Sequence, residues 1–575
     1  MTPTSWLKML WAPLSGCLML LSAPGASALP GVFALKGGEK AVSRSTQVVV
    51  MTNDQSTVVS VMTDYDGPMQ PFAFVLPVPK DVKLDDVKTL KRASVERLEE
   101  LTAPRFHEFW EMDPCEEGKP EQIWERSLAA SSGTDFLGVG DMFEGTKKAP
   151  KEMRTKVEAD FRDEGSEYTF HLVSTNVEAW LQRKGYQLPA GASLAGYADS
   201  AFLVAETNPQ KSELGRRGEA LLSPIRFATS QPLKLAHTLG LANAEGKQEL
   251  VIYTVHPQRR MAVANYDSVF SPTNLQVDFQ VKERMGEFYA ALHDQMLEKN
   301  AQAFVAEYAW DTQECGQPCP NAPLRVDELL TLGADVFEES VPESQRNPEP
   351  ASRSEEEEKA YKAAKTDERK AMDELAREVA RRKALLERNE KYILARMHHR
   401  YDAKGLPRDV ELKTAPAARG GVGVPEGEAG TLETNVQAGA ERNQLQTRFV
   451  HLHPNKKAIK CEAPQRYRWG KPPSDYRGAR KIWVADQLAS RDRGKIKPAE
   501  VVLTAYQPLG LQGAGTKAAE AAAVTPEAAD AEGKSDCDCA VVGDARRPGS
   551  LVWLWGLALL AWPMRRFRGN PRSVR

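Results

Sequence analysis

Alternating apolar and polar residues predict β-strands in the first part of the chain. β-Branched or aromatic runs cover residues 47–51 (QVVVM), 57–63 (TVVSVMT) and 72–78 (FAFVLPV). Asn53-Asp54 marks the first turn between them, and Asp66-Gly67-Pro68 marks the second. Further strands are predicted at 201–205, 224–228, 249–255, 261–265, 275–281, 392–397 and 448–452.

Helices are predicted between these strands. One extends from about Asp85 to Trp110, and Asn176 caps a short helix that ends at Gly185. Residues 282–310 read as a helix because apolar residues recur there at near-helical spacing. The fold class is therefore α+β: a β-rich body with helical segments, in which strands form the majority through residue 281.

Residues 355–390 form a highly charged helical segment. They contain 11 acids and 10 bases without Gly or Pro. Acids precede bases by four residues at Glu358–Lys362, Asp373–Arg377 and two further pairs, the favourable order on a helix surface. The apolar stripe is thin, which predicts a solvated helical hairpin or spacer. A partner-binding coiled coil is the alternative, although sustained heptads are absent.

Composition narrows the class of protein. The 575 residues are 41% hydrophobic and 27% charged, which excludes collagen-like, fully disordered and polytopic membrane proteins. The whole chain has a net charge of -3, but its two ends contribute eight positive charges, so residues 29–545 carry -11. An acidic body with a basic extreme tail argues against nucleic-acid binding and for a membrane-associated end.

The N-terminus resembles a secretory signal. Lys8 precedes an apolar stretch, and Ala26-Ser27-Ala28 provides a small-x-small site for cleavage between Ala28 and Leu29. A rival interpretation is a lipobox that ends at Cys17. Both interpretations predict that the body is exported.

The C-terminus predicts a membrane or sorting segment. Residues 551–562 (LVWLWGLALLAW) are uncharged, and the run extended to residues 548–564 is near the lower limit for a bilayer span. Cys537 and Cys539 precede the run, and Arg565, Arg566 and Arg568 follow it on the predicted cytoplasmic side. Together these parts resemble the C-terminal sorting tails of myxobacterial secreted proteins, which a membrane protease recognises. A plain single-pass anchor is the alternative.

Six strings in the body resemble one bacterial family. They are residues 45–79, 101–116 (LTAPRFHEFWEMDPCE), 176–189 (NVEAWLQRKGYQLP), 222–235 (LSPIRFATSQPLKL), 309–320 (AWDTQECGQPCP) and 448–461 (RFVHLHPNKKAIKC). The chain resembles domain-of-unknown-function family 2330 over most of residues 30–462. Members often carry Cys-Gly-Phe just after the signal, whereas Pro30-Gly31-Val32 stands here. The resemblance implies export and a coherent fold but no particular chemistry.

Four cysteines remain in the body: Cys115, Cys315, Cys319 and Cys461. An even number in an exported chain favours disulfides, and three connectivities are possible. We expect a local Cys315–Cys319 bridge and a long-range Cys115–Cys461 bridge. Half a zinc site at Cys315 and Cys319, or free thiols, are the alternatives.

Histidines offer the main candidates for chemistry. His451 and His453 should point to one face of a strand, and His398-His399 begins the same C-terminal part. These four residues are candidate ligands of a catalytic metal, although hydrogen-bonded histidines are the commoner outcome. His107-Glu108-x-x-Glu111 has Glu where a zincin needs its second His, and it is predicted on a helix surface. No other intact catalytic or cofactor motif is present, so no cofactor is predicted.

These observations predict an organisation along the chain. It comprises a signal peptide (1–28), a main α+β ectodomain (29–343), a charged helical insert (344–395), a C-terminal β-rich part (396–505), an Ala/Gly-rich tether (506–548), an apolar segment (549–564) and a basic tail (565–575). The predicted function is a non-enzymatic binding or scaffold protein of the cell envelope or surface. Its expected partners are the membrane, the export and sorting machinery and an envelope partner. The alternative is a metal-dependent envelope hydrolase that uses His398, His399, His451 and His453.

Overall fold

A computed structural model describes the following parts of the chain: residues 26–28, 31–53, 55–115, 159, 161–162, 167–215, 220–231, 233–312, 324–338, 341–389, 392–402, 405–470 and 483–484. Within them strands predominate over helices, so the α+β class is confirmed. No helix among these residues is long and apolar enough to cross a membrane. The predicted apolar segment 549–564, the tether and the basic tail lie outside the described residues.

The strands are numbered in chain order. The first are β1 Ala26–Ala28, β2 Val32–Lys36, β3 Ser43–Thr52, β4 Thr57–Thr63, β5 Phe72–Val78, β6 Lys88–Thr89 and β7 Arg105–Glu111. Next come β8 Tyr168–Val173, β9 Tyr186–Gln187, β10 Ala201–Thr207, β11 Glu213–Leu214, β12 Ala220–Leu221, β13 Ile225–Thr229 and β14 Leu233–Leu235. They are followed by β15 Ala244–Pro257, β16 Arg260–Val263, β17 Ser268–Phe270, β18 Leu275–Gln276 and β19 Phe304–Asp311. The last are β20 Tyr392–Tyr401, β21 Val410–Ala415, β22 Ala418–Gly420, β23 Gln437–Ala438, β24 Gln444–Gln446, β25 Arg448–His453, β26 Trp469–Gly470 and β27 Trp483–Val484.

The α-helices are fewer and mostly short. They are α1 Arg92–Thr102, α2 Val177–Arg183, α3 His237–Gly240, α4 Met285–Lys299, α5 Val326–Leu329, α6 Asp335–Glu338, α7 Glu343–Arg346, α8 Glu355–Ala363 and α9 Thr366–Asn389. A π-helical stretch, Leu330–Ala334, joins α5 to α6. The predicted cap of α2 is present, since Asn176 Oδ1 accepts a hydrogen bond of 3.1 Å from the Ala179 N–H.

The largest sheet, here the main sheet, organises the fold. Its strands lie in the order β23-β22-β24-β19-β20-β15-β3-β4-β13-β6, and β17 pairs with β19. At its centre the long strand β15 pairs in parallel with β3 and antiparallel with β20. A five-stranded sheet (β8-β10-β5-β2-β9), a second five-stranded sheet around β7 and β25, and a smaller sheet that includes β1 accompany it.

Both faces of the main sheet are buried, by different layers. Because successive side chains of a strand point to opposite faces, Val48 and Val50 pack with aromatic residues of β2 and β5 such as Phe33 and Phe74. Val49 and Met51 instead pack with α1 and with the segment that begins at α5. The main sheet therefore lies between a second sheet on one face and helices on the other, here the helix-covered face.

Two helix predictions were wrong in part. The predicted helix 85–110 is a helix only at Arg92–Thr102, and residues Arg105–Glu111 form β7 instead. The predicted helix 282–310 ends at Lys299, after which Phe304–Asp311 forms β19. In both places the pairing with distant strands, β25 for β7 and β20 for β19, overrides the local pattern.

The charged segment forms a helical hairpin, α8 and α9, as the sequence indicated. No residue of α8 is buried, and the predicted pair Glu358–Lys362 is present at 3.3 Å. Asp373 instead accepts a 2.9 Å hydrogen bond from the Tyr361 hydroxyl and pairs with Arg353. The proposed boundary between residues 395 and 396 falls inside β20, so the helical insert ends before Tyr392.

The short strand β1 occupies the predicted cleavage motif. Ala26, Ser27 and Ala28 pair in parallel with Leu233, Lys234 and Leu235 of β14. Cleavage after Ala28 would therefore remove β1 from the edge of this sheet.

Candidate functional site

The described part of the chain contains a buried ionic network on the helix-covered face of the main sheet. Its members come from five elements that meet there: Glu99 of α1, Glu249 and Tyr253 of β15, Tyr289 and His293 of α4, Glu307 of β19, and Arg396 and His398 of β20. His293 and Glu307 are 0% exposed, Arg396 is 2% exposed and His398 is 7% exposed. Charges at this depth require partners, and the contacts below provide them.

A β-bulge places Glu307 in the network. Ala306 pairs with Met397, while Tyr308 pairs with Arg396, so Glu307 is an extra residue on its strand. A bulge changes the direction of a side chain relative to the regular strand. The Glu307 carboxylate consequently contacts both Arg396 and His398, which lie on one face of β20.

His398 lies between two carboxylates. Its Nδ1 is 3.1 Å from Glu307 Oε1, and its Nε2 is 2.7 Å from Glu249 Oε2. An ionised carboxylate can only accept, so both ring nitrogens act as donors when His398 is protonated. Burial by itself lowers the pKa of His398, but Glu307 and Glu249 outweigh it and raise this pKa above its ordinary value.

Arg396 links Glu307 to Glu99. The guanidinium Nε donates to Glu307 Oε2, and Nη1 donates to Glu99 Oε2 at 2.7 Å. Burial alone raises the pKa of Glu307, yet Arg396 and His398 outweigh burial and lower it, so this carboxyl is ionised. Burial, and to a smaller extent the negative charge of Glu307, raise the pKa of Tyr289 well above its usual value. The Tyr289 hydroxyl donates a hydrogen bond of 2.5 Å to Glu307 Oε1.

One group in the described residues could hold a metal ion. One ligand atom each from His293, Glu307 and His398 lies within 4.8 Å of the others. The His293 and His398 rings are stacked, with centroids 4.0 Å apart. All three residues are buried, so their side chains do not line an open cleft.

The structure does not assemble the four histidines predicted as metal ligands. His398 and His399 are neighbours on β20 and point to opposite faces, and His399 Nδ1 is 2.8 Å from the Ala303 carbonyl oxygen. Burial chiefly lowers the pKa of His399 to about 4, so this ring is neutral. His451 and His453 belong to β25 in another sheet, and only His398 contributes to the group described above.

His451 and His453 do share a face, as their spacing predicted. Their ring centroids are 4.8 Å apart, His453 stacks on Trp110 at 3.8 Å, and Phe279 lies 5.3 Å from His451. We call Trp110, Phe279, His451 and His453 the aromatic–histidine surface. Phe279 is 40% exposed, and it is the aromatic residue among the exposed large hydrophobic side chains of the described chain.

An ion pair with little exposure lies beside these rings on the same face of the sheet. Glu108 Oε2 is 2.8 Å from Lys282 Nζ, and Glu108 Oε1 is 2.8 Å from His453 Nε2. Burial alone raises the pKa of Glu108, but the hydrogen bonds from His453 and Lys282 outweigh it and lower this pKa. Glu108 therefore holds the His453 ring in position. The prediction that His107-Glu108-x-x-Glu111 lies on a helix was wrong, because these residues form β7.

Cys115 and Cys461 form a disulfide, with Cα atoms 5.5 Å apart. The geometry follows from the parallel pairing of β7 with β25, because parallel strands leave a sheet at the same end. Glu111 of β7 also joins β7 to the segment after β25, because its carboxylate accepts hydrogen bonds from the Asn455 N–H at 2.8 Å and the Tyr467 N–H at 2.9 Å. The bridge thus joins residues 346 positions apart in the sequence.

Several predicted sites lie outside the described residues. They are Cys315 and Cys319, Leu29 of the cleavage site, Cys537 and Cys539, and the arginines Arg565, Arg566 and Arg568. The residues that the sequence analysis missed are Glu249, His293, Glu307 and Arg396. Glu307 and Arg396 each stand alone within an apolar run, FVAEYAW (304–310) and YILARM (392–397). Such isolated charges indicate buried pairing, because charged residues are almost never fully buried without a partner.

Comparison with known proteins identifies the family. The chain belongs to a family described as an uncharacterised protein conserved in bacteria, domain-of-unknown-function family 2330, whose model matches residues 24–413. The predicted family is thereby confirmed, although the string 448–461 lies beyond the match. No curated protein matches the chain, and no solved structure matches it either.

Proposed function

We propose that this member of the family is an exported protein of the bacterial envelope that acts by binding, not by catalysis. The Cys115–Cys461 disulfide carries the proposal of export. Disulfides persist in oxidising compartments and are rare in the bacterial cytosol. The signal-like N-terminus and the apolar, arginine-flanked C-terminus support the same location.

The mass of the native protein tests the location. We expect the cell-envelope fraction to contain a chain that begins at Leu29, lacks residues beyond about 545 and is modified at Cys537 or Cys539. Intact-mass analysis beside a Cys537→Ser/Cys539→Ser variant measures each of these features. A native chain in the cytosol with Cys115 and Cys461 reduced would contradict export. A native mass that includes the arginine tail, with unchanged location of the variant, would instead identify a plain anchor.

The aromatic–histidine surface supports binding as the mode of action. Aromatic side chains supply much of the binding energy at protein interfaces. Phe279 offers an exposed ring, and Glu108, which pairs with Lys282, contacts the His453 ring that stacks on Trp110. A positioned surface of this kind suits a protein partner in the envelope, because its contact groups lose little freedom on binding.

A photo-crosslinker placed at Phe279 tests this surface. The amino acid p-benzoylphenylalanine in place of Phe279 should give one discrete adduct with an envelope protein after irradiation of intact cells. The matched control has the same amino acid in place of Leu84, which is similarly exposed at 44%. We expect no such adduct from the control. Identical adducts from both positions, or none from position 279, would exclude this surface as the binding site.

A further inference from the structure

The His293, Glu307 and His398 group has the donor atoms of a transition-metal site. We propose that these three side chains bind one divalent transition-metal ion of the zinc class. Two imidazoles and one carboxylate form a ligand set that zinc accepts. With metal–ligand bonds of about 2.0–2.1 Å, two ligand atoms of a tetrahedral site lie about 3.3 Å apart. His398 Nδ1 and Glu307 Oε1 are already 3.1 Å apart.

Outer contacts orient these ligands as metal sites require. A metal-bound histidine usually donates its other ring N–H to a carboxylate, and Glu249 Oε2 lies 2.7 Å from His398 Nε2. Glu307 is held by Tyr289 and Arg396, so its carboxylate has a defined position. Contacts of this kind fix ligand geometry around a metal.

The charges of the network favour a divalent cation. Arg400 extends the network, because it pairs with both Glu249 and the partly exposed Asp294. Four carboxylates, those of Glu99, Glu249, Asp294 and Glu307, are thus joined to the guanidinium groups of Arg396 and Arg400. When His398 binds an ion through Nδ1 its ring is neutral, and the four acids then exceed the two guanidinium groups by two charges. Buried charge is costly unless it is paired, and one divalent ion would offset this difference.

The position of the group assigns the metal a structural role. His293 belongs to α4, whereas Glu307 and His398 belong to the paired strands β19 and β20. A shared ion would fasten this helix to the main sheet. The His293 and His398 rings are stacked, so the two can bind one ion together only when the His293 ring turns until a nitrogen lone pair points at that ion.

Titration of full-length protein with zinc tests the proposal. The protein is purified in detergent, stripped with EDTA and dialysed, and zinc binding is measured by calorimetry alongside the thermal midpoint. We expect a zinc-dependent rise in the midpoint, and tetrahedral visible bands when Co²⁺ replaces zinc. Loss of an outer-shell partner typically weakens metal binding about 10–100-fold. His293 is a direct ligand in this proposal, so its loss should cost more than that of an outer-shell partner. We expect His293→Phe, which keeps the stacked ring, to bind zinc more than about 100-fold more weakly than the wild type.

Two further variants make the result decisive. Glu249→Gln retains an acceptor for His398 and should weaken zinc binding by about 10–100-fold. This variant tests the proposal independently if His293→Phe does not fold. His171→Gln is the matched control, because His171 also lies 2.7 Å from a carboxylate, that of Glu206, outside this group. It should bind zinc as the wild type does. An unchanged midpoint in wild type, or equal zinc affinity in His293→Phe, would show that the group is only an ionic network.

Discussion

Replacing Arg396 by Met should lower the free energy of unfolding by about 3–5 kcal/mol, because removing one partner leaves buried carboxylates unpaired. Arg396 is 2% exposed and contacts both Glu307 and Glu99. Methionine keeps much of the side-chain length but supplies no charge. Urea unfolding followed by circular dichroism measures the change.

An exposed ion pair provides the control for Arg396. Arg44 Nη1 lies 2.7 Å from Asp66 Oδ2, and their side chains are 28% and 62% exposed. Arg44→Met should cost less than about 1 kcal/mol, because water and salt screen such pairs. Adding Glu307→Gln to Arg396→Met should cost less than the sum of the single changes, because the pair is coupled. Additive losses would mean that Arg396 does not stabilise Glu307.

Removing the long-range disulfide should have the second large effect. We expect Cys115→Ser/Cys461→Ser to lower the free energy of unfolding by about 2–5 kcal/mol, since the unfolded chain gains the freedom of a long loop. The bridge closes a separation of 346 residues. Urea unfolding of oxidised protein measures the loss. Thiol labelling of folded wild type should modify neither cysteine.

The other predicted bridge supplies the control for the disulfide. Cys315 and Cys319 are four positions apart, so a bridge between them would close only a short loop. Cys315→Ser/Cys319→Ser should therefore cost clearly less than removal of the Cys115–Cys461 bridge. Equal losses, or rapid labelling of Cys115 in folded wild type, would contradict the stabilising role of the long-range bridge.

Local sequence pattern predicted the apolar strands well. The runs 57–63 and 72–78 coincide with β4 and β5, and the helix capped by Asn176 begins where expected. Their β-branched content and their turn or cap residues act over a few positions, so the signal is contained in the segment itself.

Local pattern failed where long-range pairing decides the structure. β7 and β19 were assigned to helices, although they pair with β25 and β20 from much later in the chain. The Glu307 bulge changes which side chains share a face, and alternation in the sequence cannot show such a change. Two histidine pairs, His398-His399 and His451-x-His453, were grouped from their spacing, while Glu249, His293 and Glu307 were overlooked.

The sequence by itself determined the family, the α+β class, the charged helical hairpin and the expectation that Cys115 pairs with Cys461. These depend on residue strings, short-range periodicity and cysteine number. Only the tertiary structure decided that His398 lies between Glu249 and Glu307, and that the His453 ring stacks on Trp110. The physical reason is that a buried charge is stable only beside its partner, and chain folding, not sequence spacing, brings residues 249, 293, 307 and 398 together.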